Sequence, residues 1–582
     1  MSRGLFSVRL INELGERMTR TAEADVIIVG AGPVGLTAAM DLNARGISTI
    51  VVEKRSYQEL PSVKCNHVSA RTMERFRRLG VAAEIRNSGL PAAYPHDIAF
   101  RTVLTGQEIA RIPIPSRSDR YTSRNGPDTG WPTPEPPHRI NQTYLEPILV
   151  EHVAALPHVT LLNDTQFLSV TQTDDHVEAL ISDAAGENLR TIRARFLIGA
   201  DGSRSAVRKQ IGAKLTGDAV LQQVQSTCIR APKLYELMPG APAWGYYTFN
   251  PRRNGHVYAI DGREVFIVHN YLTEQEAADG SVDRDEAIRT ILGVDESFEY
   301  EIVSREDWVA RRMVADRFRD GRIFIAGDAC HLWVPYAGYG MNAGIADGLN
   351  LTWLLGAHLS GWADYGILDA YEAERQPITD QVSRFVMNHQ QKIARSRIPN
   401  VIEEDSDEGR EARERIGREA YEFNVQQFAA AGLNFGYVYD TSPIISYDGE
   451  QAPSYSMGSF VPSTVPGCRA PHFWLDDTTS VYDEFGQGYT LLSFGDRGDL
   501  AELIDAAAAS GVPLTVIDVP EGVAGEEHDH AFLVCREDQH VAWRGNSAPE
   551  NVTGLIELLR GAVPSKAPSA EIPVAAGSAA GQ

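Results

Sequence analysis

Cysteine is scarce in this sequence. Five among 582 residues, Cys65, Cys228, Cys330, Cys468 and Cys535, lie far apart with no Cys-x-x-Cys pair. That spacing supports neither a zinc knuckle nor a dithiol redox centre, and an odd, scattered set favours a reducing compartment. No apolar run reaches the roughly eighteen residues of a membrane helix. Residues 1–20 are interrupted by Arg3, Arg9, Glu13, Glu16 and Arg17, so they lack the apolar core of a secretory signal. They read as a short arm, and the expected location is the cytoplasm. Basic residues are also in deficit: 54 Lys and Arg against 78 Asp and Glu leave a net charge of −24. This balance argues against nucleic acid and anionic membranes as partners, because the phosphate field repels the chain. Small anionic ligands remain open to it, since local basic sites decide their binding.

What is present is ordinary globular material, 43% hydrophobic and 23% charged. At roughly 150 residues per domain, the chain holds several domains. The first strong signal is Ala24-Asp25-Val26-Ile27-Ile28-Val29-Gly30, a strand buried on both faces of a parallel sheet. Gly30-Ala31-Gly32-Pro33-Val34-Gly35 follows, then a helix over 36–45, and a second strand over 47–52 that ends at Glu53. Gly30 allows the tight turn, Gly32 lets backbone approach a pyrophosphate, and Gly35 lets helix and strand pack closely. The helix start offers N–H groups and partial positive charge to the phosphates. Glu53 stands where an acid accepts hydrogen bonds from a ribose diol. Strand, turn, helix, strand and acid in register predict a dinucleotide site.

Two further motifs follow. Phe196 to Arg208 is a strand running into Asp201-Gly202, then a helix start. Alone it reads as an Asp-Gly turn with Ser203 or Ser205 capping the helix. The third is Arg322 to His331, a buried strand ending at Gly327-Asp328, continued by Pro335, Gly338, Tyr339, Gly340, Met341, Asn342 and Gly344. Asp328 suits polyol hydroxyls. The glycines let backbone approach a flat ring, and a helix beginning at Asn342 offers N–H groups to its negative edge.

Residues 113–137 form a long loop, 142–155 a helix, and 215–305 a β-rich region. After a turn-rich segment near 440, the order of elements is βαβ then ββα, which is thioredoxin-like. The tail from 562 is rich in Ala, Pro, Ser and Gly and is expected to be disordered.

In this order and at these separations the three motifs resemble the single-component FAD-dependent aromatic hydroxylases, the family of p-hydroxybenzoate hydroxylase and phenol hydroxylase. The likeness covers residues 22–390, and the C-terminal segment extends it to about 560. It implies an α/β fold: a Rossmann-like FAD-binding domain (22–95, 135–210 and 310–390), an inserted substrate-binding β-sheet domain (96–134 and 211–309), a helical connector (391–450) and a thioredoxin-like domain (451–561). It implies that Gly30, Gly32, Pro33, Gly35 and Glu53 hold the ADP half of FAD. Lys64 stands where many of the family have Arg, so a point charge replaces a guanidinium fork. Arg71 fits a family position near the cofactor, and Gln142 one that contacts it. Asp201 belongs to an Asp-Gly motif associated with FAD and NADPH. Asp328 would bind the ribityl chain, with Pro335 to Asn342 lining the isoalloxazine.

The implied reaction uses NADH or NADPH and O₂ and proceeds through a C4a-hydroperoxide of the flavin to hydroxylate a small phenolic ring. A homodimer is compatible with it. Asn66 falls where phenol hydroxylase has an Asp that helps ionise the phenol, and His67 is next along. A histidine titrates at about pH 6.5, which suits moving a phenolic proton; the alternative is that His67 caps or packs the following helix. Tyr246, Tyr247, His256 and His269 are candidate walls of the substrate pocket, although strand alternation turns only some of them inward. A halogenase on the same fold would carry a Trp-x-Trp-x-Ile-Pro motif, which is absent. Epoxidation, oxidative decarboxylation or Baeyer–Villiger oxidation of an aromatic polyketide remains open, as does a non-catalytic scaffold. The C-terminal segment lacks a Cys-x-x-Cys pair, so its thioredoxin-like character is one of shape.

Overall fold

Val26, Ile27 and Ile28 expose no surface, because their strand, Ala22–Val29, has a parallel neighbour on each side. These neighbours are Thr49–Val52 and Arg190–Gly199. The computed structural model describes residues 22–57, 59–333, 338–393, 398–494 and 500–562. The expected N-terminal arm, the tail from 563 and Pro335 lie outside them. The sheet continues through Val159–Leu162 on one side and Ile323–Ile325 and Arg319–Asp320 on the other. A hairpin, Thr165–Gln172 with Val177–Asp183, branches from its edge. The first and third motifs therefore leave strands of the same sheet.

The helices that follow them, Pro33–Ala44 and Gly340–Leu359, pack against each other through small residues. A Cβ at Gly344 would lie 2.8 Å from Val34 Cγ2 and 2.9 Å from Gly327 Cα. The third-motif helix begins at Gly340, two residues before the expected Asn342.

A nine-stranded sheet forms the second layer. Its order is His331–Leu332, Trp308–Ala315, Leu215–Arg230, Val265–Leu272, Gly255–Ala259, Gly245–Thr248, Ile98–Arg101 and Glu108–Ile112, with Glu301–Arg305 also on Leu215–Arg230. Besides the single helical turn Leu234–Leu237, the β-rich region contains two helices, Glu274–Asp279 and Arg284–Leu292. Thr273 and Glu276 form a capping box at the first and Asp283 caps the second, so short polar signals set both. The loop over 113–137 has no helix or strand.

Asp407–Phe428 lies against the edge strand Glu108–Ile112, where Gly417 meets the Ile109 carbonyl. A four-stranded sheet ends the chain, in the order Leu514–Asp518, Tyr489–Ser493, Phe532–Arg536 and Val541–Gly545. The first pair is parallel and the rest antiparallel, with Ala501–Ala509 as the crossover helix and Val552–Leu559 as the last. Its turn, Arg536 to His540, is buried against the rest of the molecule. Arg536 pairs with Glu374, and Glu537 with Arg45 at 2.6 Å. No helix among the described residues is long and apolar enough to cross a membrane.

Candidate active site

The glycine turn has the geometry its sequence demands. Gly30 sits at φ +105°, and a Cβ there would meet the Ala200 carbonyl oxygen at 2.3 Å. A Cβ at Gly35 would lie 2.0 Å from the Gly30 oxygen, while one at Gly32 meets nothing within 4 Å. Gly32 precedes Pro33 at the start of a helix that no side chain caps. The helix at Gly340 is likewise uncapped, and Gly340 likewise opens to space. By contrast, Ser69, Asn141 and Ser406 cap the helices that follow them. Two uncapped helix starts, each entered through an open glycine, leave N–H groups for a ligand.

Glu53 Oε2 accepts the Ala31 N–H at 2.7 Å and Oε1 accepts that of Arg55 at 2.9 Å. Arg55 also pairs with Glu146 at 2.7 Å, and Gln142 donates to Glu146 at 2.7 Å. Arg55 and Glu146 were not foreseen. They carry no motif, and only the fold brings Glu146 to the end of the second strand.

Asp328 projects from a 3₁₀ turn, Gly327–Ala329, with its side chain exposed. Surrounding protein nevertheless raises its carboxyl above the ordinary value, against the pull of His331 and Lys64. Among the described residues it makes no hydrogen bond or ion pair. An unpartnered carboxylate just past the end of a buried strand of the sheet is one a ligand hydroxyl can satisfy. Below it, buried Asp347 accepts from His331 at 2.6 Å and Arg375 at 2.8 Å, fixing the turn from beneath.

Residues 64–71 cross from this turn to the second layer. Burial and the nearby Asp328 carboxylate push the Cys65 thiol up to about 12, so it stays protonated. Lys64 pairs with Glu306 at 3.6 Å and is otherwise exposed. Asn66 Oδ1 accepts from Asn141, so its own amide hydrogens lie outside that bond. His67 is buried; a Cβ on Gly338 would lie 3.1 Å from its Cβ. Asn342 fastens this region: its amide donates to the His67 and Gly338 carbonyls at 3.1 and 2.9 Å and accepts the Ser69 N–H at 2.8 Å. Ser69, not His67, caps the helix Ala70–Arg78. Val68 forms an antiparallel bridge with His138, which sets His67 opposite Arg139.

One row of side chains runs straight across five strands of the second sheet: Phe100, Tyr247, His256, His269 and Ser226. Tyr247 stacks on His256 at 3.6 Å between ring centres, and His269 Nδ1 lies 2.6 Å from Ser226 Oγ. Burial drives both histidines down, His269 to about 4, so both are neutral near pH 7. Tyr246 departs from the expectation. It lies in the adjacent register row with Ala99 and Val257 and so on the opposite face. It is fully buried, its OH accepts the Ala243 N–H, and Arg101 covers its ring.

Two other expected cofactor residues have protein partners. Arg71 turns to the C-terminal unit, donating to Gln539 and to the Asp538 carbonyl at 2.8 Å and pairing with Glu74 at 3.2 Å. The cavity beside it, about 30 Å³, is of water size. Asp201 accepts from Ser205 Oγ at 2.5 Å and from the Ala206 N–H at 2.6 Å, and Ser205 caps the helix Ala206–Gln210. Met341 is half-buried against the core of the first layer.

Glycine cradle, free acid and aromatic sheet face together define a flavoprotein acting on a ring, and the comparisons agree. The sequence profile of the FAD binding domain matches residues 23–386, and that of the aromatic-ring hydroxylase C-terminal domain matches 463–563. The chain belongs to the FAD-dependent aromatic-ring monooxygenase family. It is 29% identical to phenol 2-monooxygenase of Pseudomonas sp. (strain EST1001), covering 94% of each chain. It is 30% identical to aklavinone 12-hydroxylase RdmE of Streptomyces purpurascens, over 92% of this chain and 98% of that one. Among solved structures, the rebeccamycin biosynthetic enzyme RebC with reduced flavin superposes with a TM-score of 0.83 at 33% identity, covering 94% of this chain and all of RebC.

Proposed function

We propose that this FAD monooxygenase takes its electrons from NADH or NADPH and places one oxygen atom of O₂ on a phenolic ring held between the glycine-lined cleft and the aromatic row of the second sheet. The observation that supports this is Asp328, an exposed acid with no hydrogen bond or ion pair among the described residues, on a turn that leaves the same sheet as the first of two uncapped helix starts. In this reading Gly30 to Gly35 and Glu53 receive the ADP half, and Asp328 the polyol chain. The backbone from Gly338 to Asn342 receives the ring system. FAD, when bound, supplies the hydride acceptor and the oxygen-activating centre.

The chain's own groups do the rest. Asn342 holds His67 at the flavin loop. From there the imidazole can take the phenolic proton, which makes the ring a better nucleophile. Asn66 can donate to the resulting phenolate through amide hydrogens not used by Asn141. Buried Tyr247 and half-buried, neutral His256 offer a surface that excludes water from the reacting centre. The likeness to RdmE and RebC favours a multi-ring natural product as substrate over a single phenol.

After Gly35 the sequence has no other Gly-x-Gly-x-x-Gly at a strand-to-helix junction to mark a second dinucleotide fold, so the nicotinamide is expected to dock transiently. Rapid mixing of oxidised holoenzyme with NADPH tests this. Flavin reduction should be slow alone and faster with an aromatic ligand. Tight stoichiometric NADPH binding to the resting enzyme would contradict it.

A further inference from the structure

Arg139 is a buried cation without an anion. Its side chain is 2% exposed, and it makes one hydrogen bond, Nη2 to the Phe428 carbonyl at 3.3 Å. Nε has no acceptor. No carboxylate among the described residues pairs with it. Asp128, the carboxylate whose charge acts on it, is held by Arg120 at 2.9 Å and by the Trp131 indole N–H at 2.8 Å. Burial, reinforced by Arg120 against the pull of Asp128, lowers the guanidinium to about 10. A guanidinium kept from water and from any carboxylate is costly to hold. Arg536, Arg375 and Arg469, equally buried, each have a carboxylate partner, and buried Arg208 donates to two carbonyls, those of Ala329 and Ser203.

Its position gives the cost a use. The Val68–His138 bridge sets Arg139 opposite His67, so both side chains leave the same face of that bridge. The guanidinium lies 4.9 Å over the Trp244 ring, which packs on Tyr258 of the aromatic sheet face. We propose that Arg139 binds an anionic oxygen on the aromatic substrate, a carboxylate or an ionised phenol, and so makes the enzyme selective for anionic rings. This deepens the monooxygenase reading and rests on it.

The test is calorimetric titration of oxidised holoenzyme with matched pairs. One arm compares 4-hydroxybenzoate, 1-hydroxy-2-naphthoate and anthraquinone-2-carboxylate with their carboxamides. The other compares ionised 4-nitrophenol with 4-nitroanisole. At least one anion should bind on the order of tenfold or more tighter than its neutral partner. Arg139→Gln should abolish that preference while leaving the neutral compound's affinity unchanged, and Arg139→Lys should retain part of it. Equal affinity in both arms, absence of any anion binding included, overturns the proposal without reference to a variant. So does a preference that survives Arg139→Gln. Hydroxylation of neutral rings without anion preference would leave the monooxygenase reading standing and remove this one.

Discussion

A methyl group at Gly35 would collide with the Gly30 carbonyl at 2.0 Å, whereas one at Gly32 would enter open space. Gly35→Ala must therefore move backbone, at a cost of about 1–3 kcal/mol, and should lower the melting temperature of the apoprotein. Gly32→Trp should fold and melt normally but purify without yellow colour. His67 invites a second test. His67→Ala should retain FAD and slow turnover at pH 7, and the deficit should shrink as pH approaches about 10, where a phenol ionises unaided. A pH-independent deficit accompanied by flavin loss would mark His67 as structural. At this scale the sequence exposed residues whose roles are local. Glu53 and Asp328 end strands, and the glycines announce turns. Arg139, Glu146 and Asp347 carry no local signal, because each gains meaning only from elements distant in the chain.

The segment 64–71 is held to the helix Gly340–Leu359 by a single amide. Asn342→Ala removes three hydrogen bonds and leaves a buried carbonyl, a part-buried carbonyl and a buried N–H to find other partners. At about 1–3 kcal/mol per stranded group, before relaxation, several degrees of melting temperature should be lost. Flavin affinity should fall with it. Asn342→Asp keeps the acceptor for Ser69 but sets a carboxylate oxygen against the His67 and Gly338 carbonyls, so it should be no milder; a fully stable Asn342→Ala would refute the staple. Elements were legible wherever an apolar run met a glycine or a cap, as with Val552–Leu559 and Gln142–Ala154. The candidate pocket wall was half legible. Alternation says that Tyr246 and Tyr247 point oppositely, but only register with Ala99 and Phe100 decides which one joins His256.

For the molecule as a whole, the βαβ–ββα order was readable because those contacts are local, but its docking was not. Arg536 to His540 look like a solvated hairpin turn. Their burial depends on Glu374, Arg45 and Arg71, which no pattern ties to them. This docking, together with buried histidines elsewhere in the molecule, should make stability sensitive to acid. Burial lowers His96, His138 and His256, with His269 to about 4 and His540 to about 3. A base with a depressed folded pKa gives its full contribution above its unfolded value, about 6.5, and loses it as pH falls through the folded value. Against the opposing effect of burial, Arg536 and its neighbours hold Asp538 low, as Arg469 and Arg71 hold Glu74. Those contributions are complete above about pH 4 and vanish below it. Melting temperature should thus fall from about pH 6.5 downward and more steeply below about 4. A flat profile from pH 7 to 4 would contradict this. Glu374→Ala strands part of the Arg536 charge and should cost up to about 3–5 kcal/mol, with earlier proteolytic release of the C-terminal unit.

The most direct measurement is isotopic. Holoenzyme with NADPH is supplied with ¹⁸O₂ and a panel of phenols and multi-ring phenolic natural products, and the products are weighed by mass spectrometry. The account predicts that at least one ring gains a single ¹⁸O atom, with none from H₂¹⁸O in the converse experiment, as NADPH is consumed. NADPH consumption that yields only hydrogen peroxide with every ring, or product oxygen that comes from water, would contradict it.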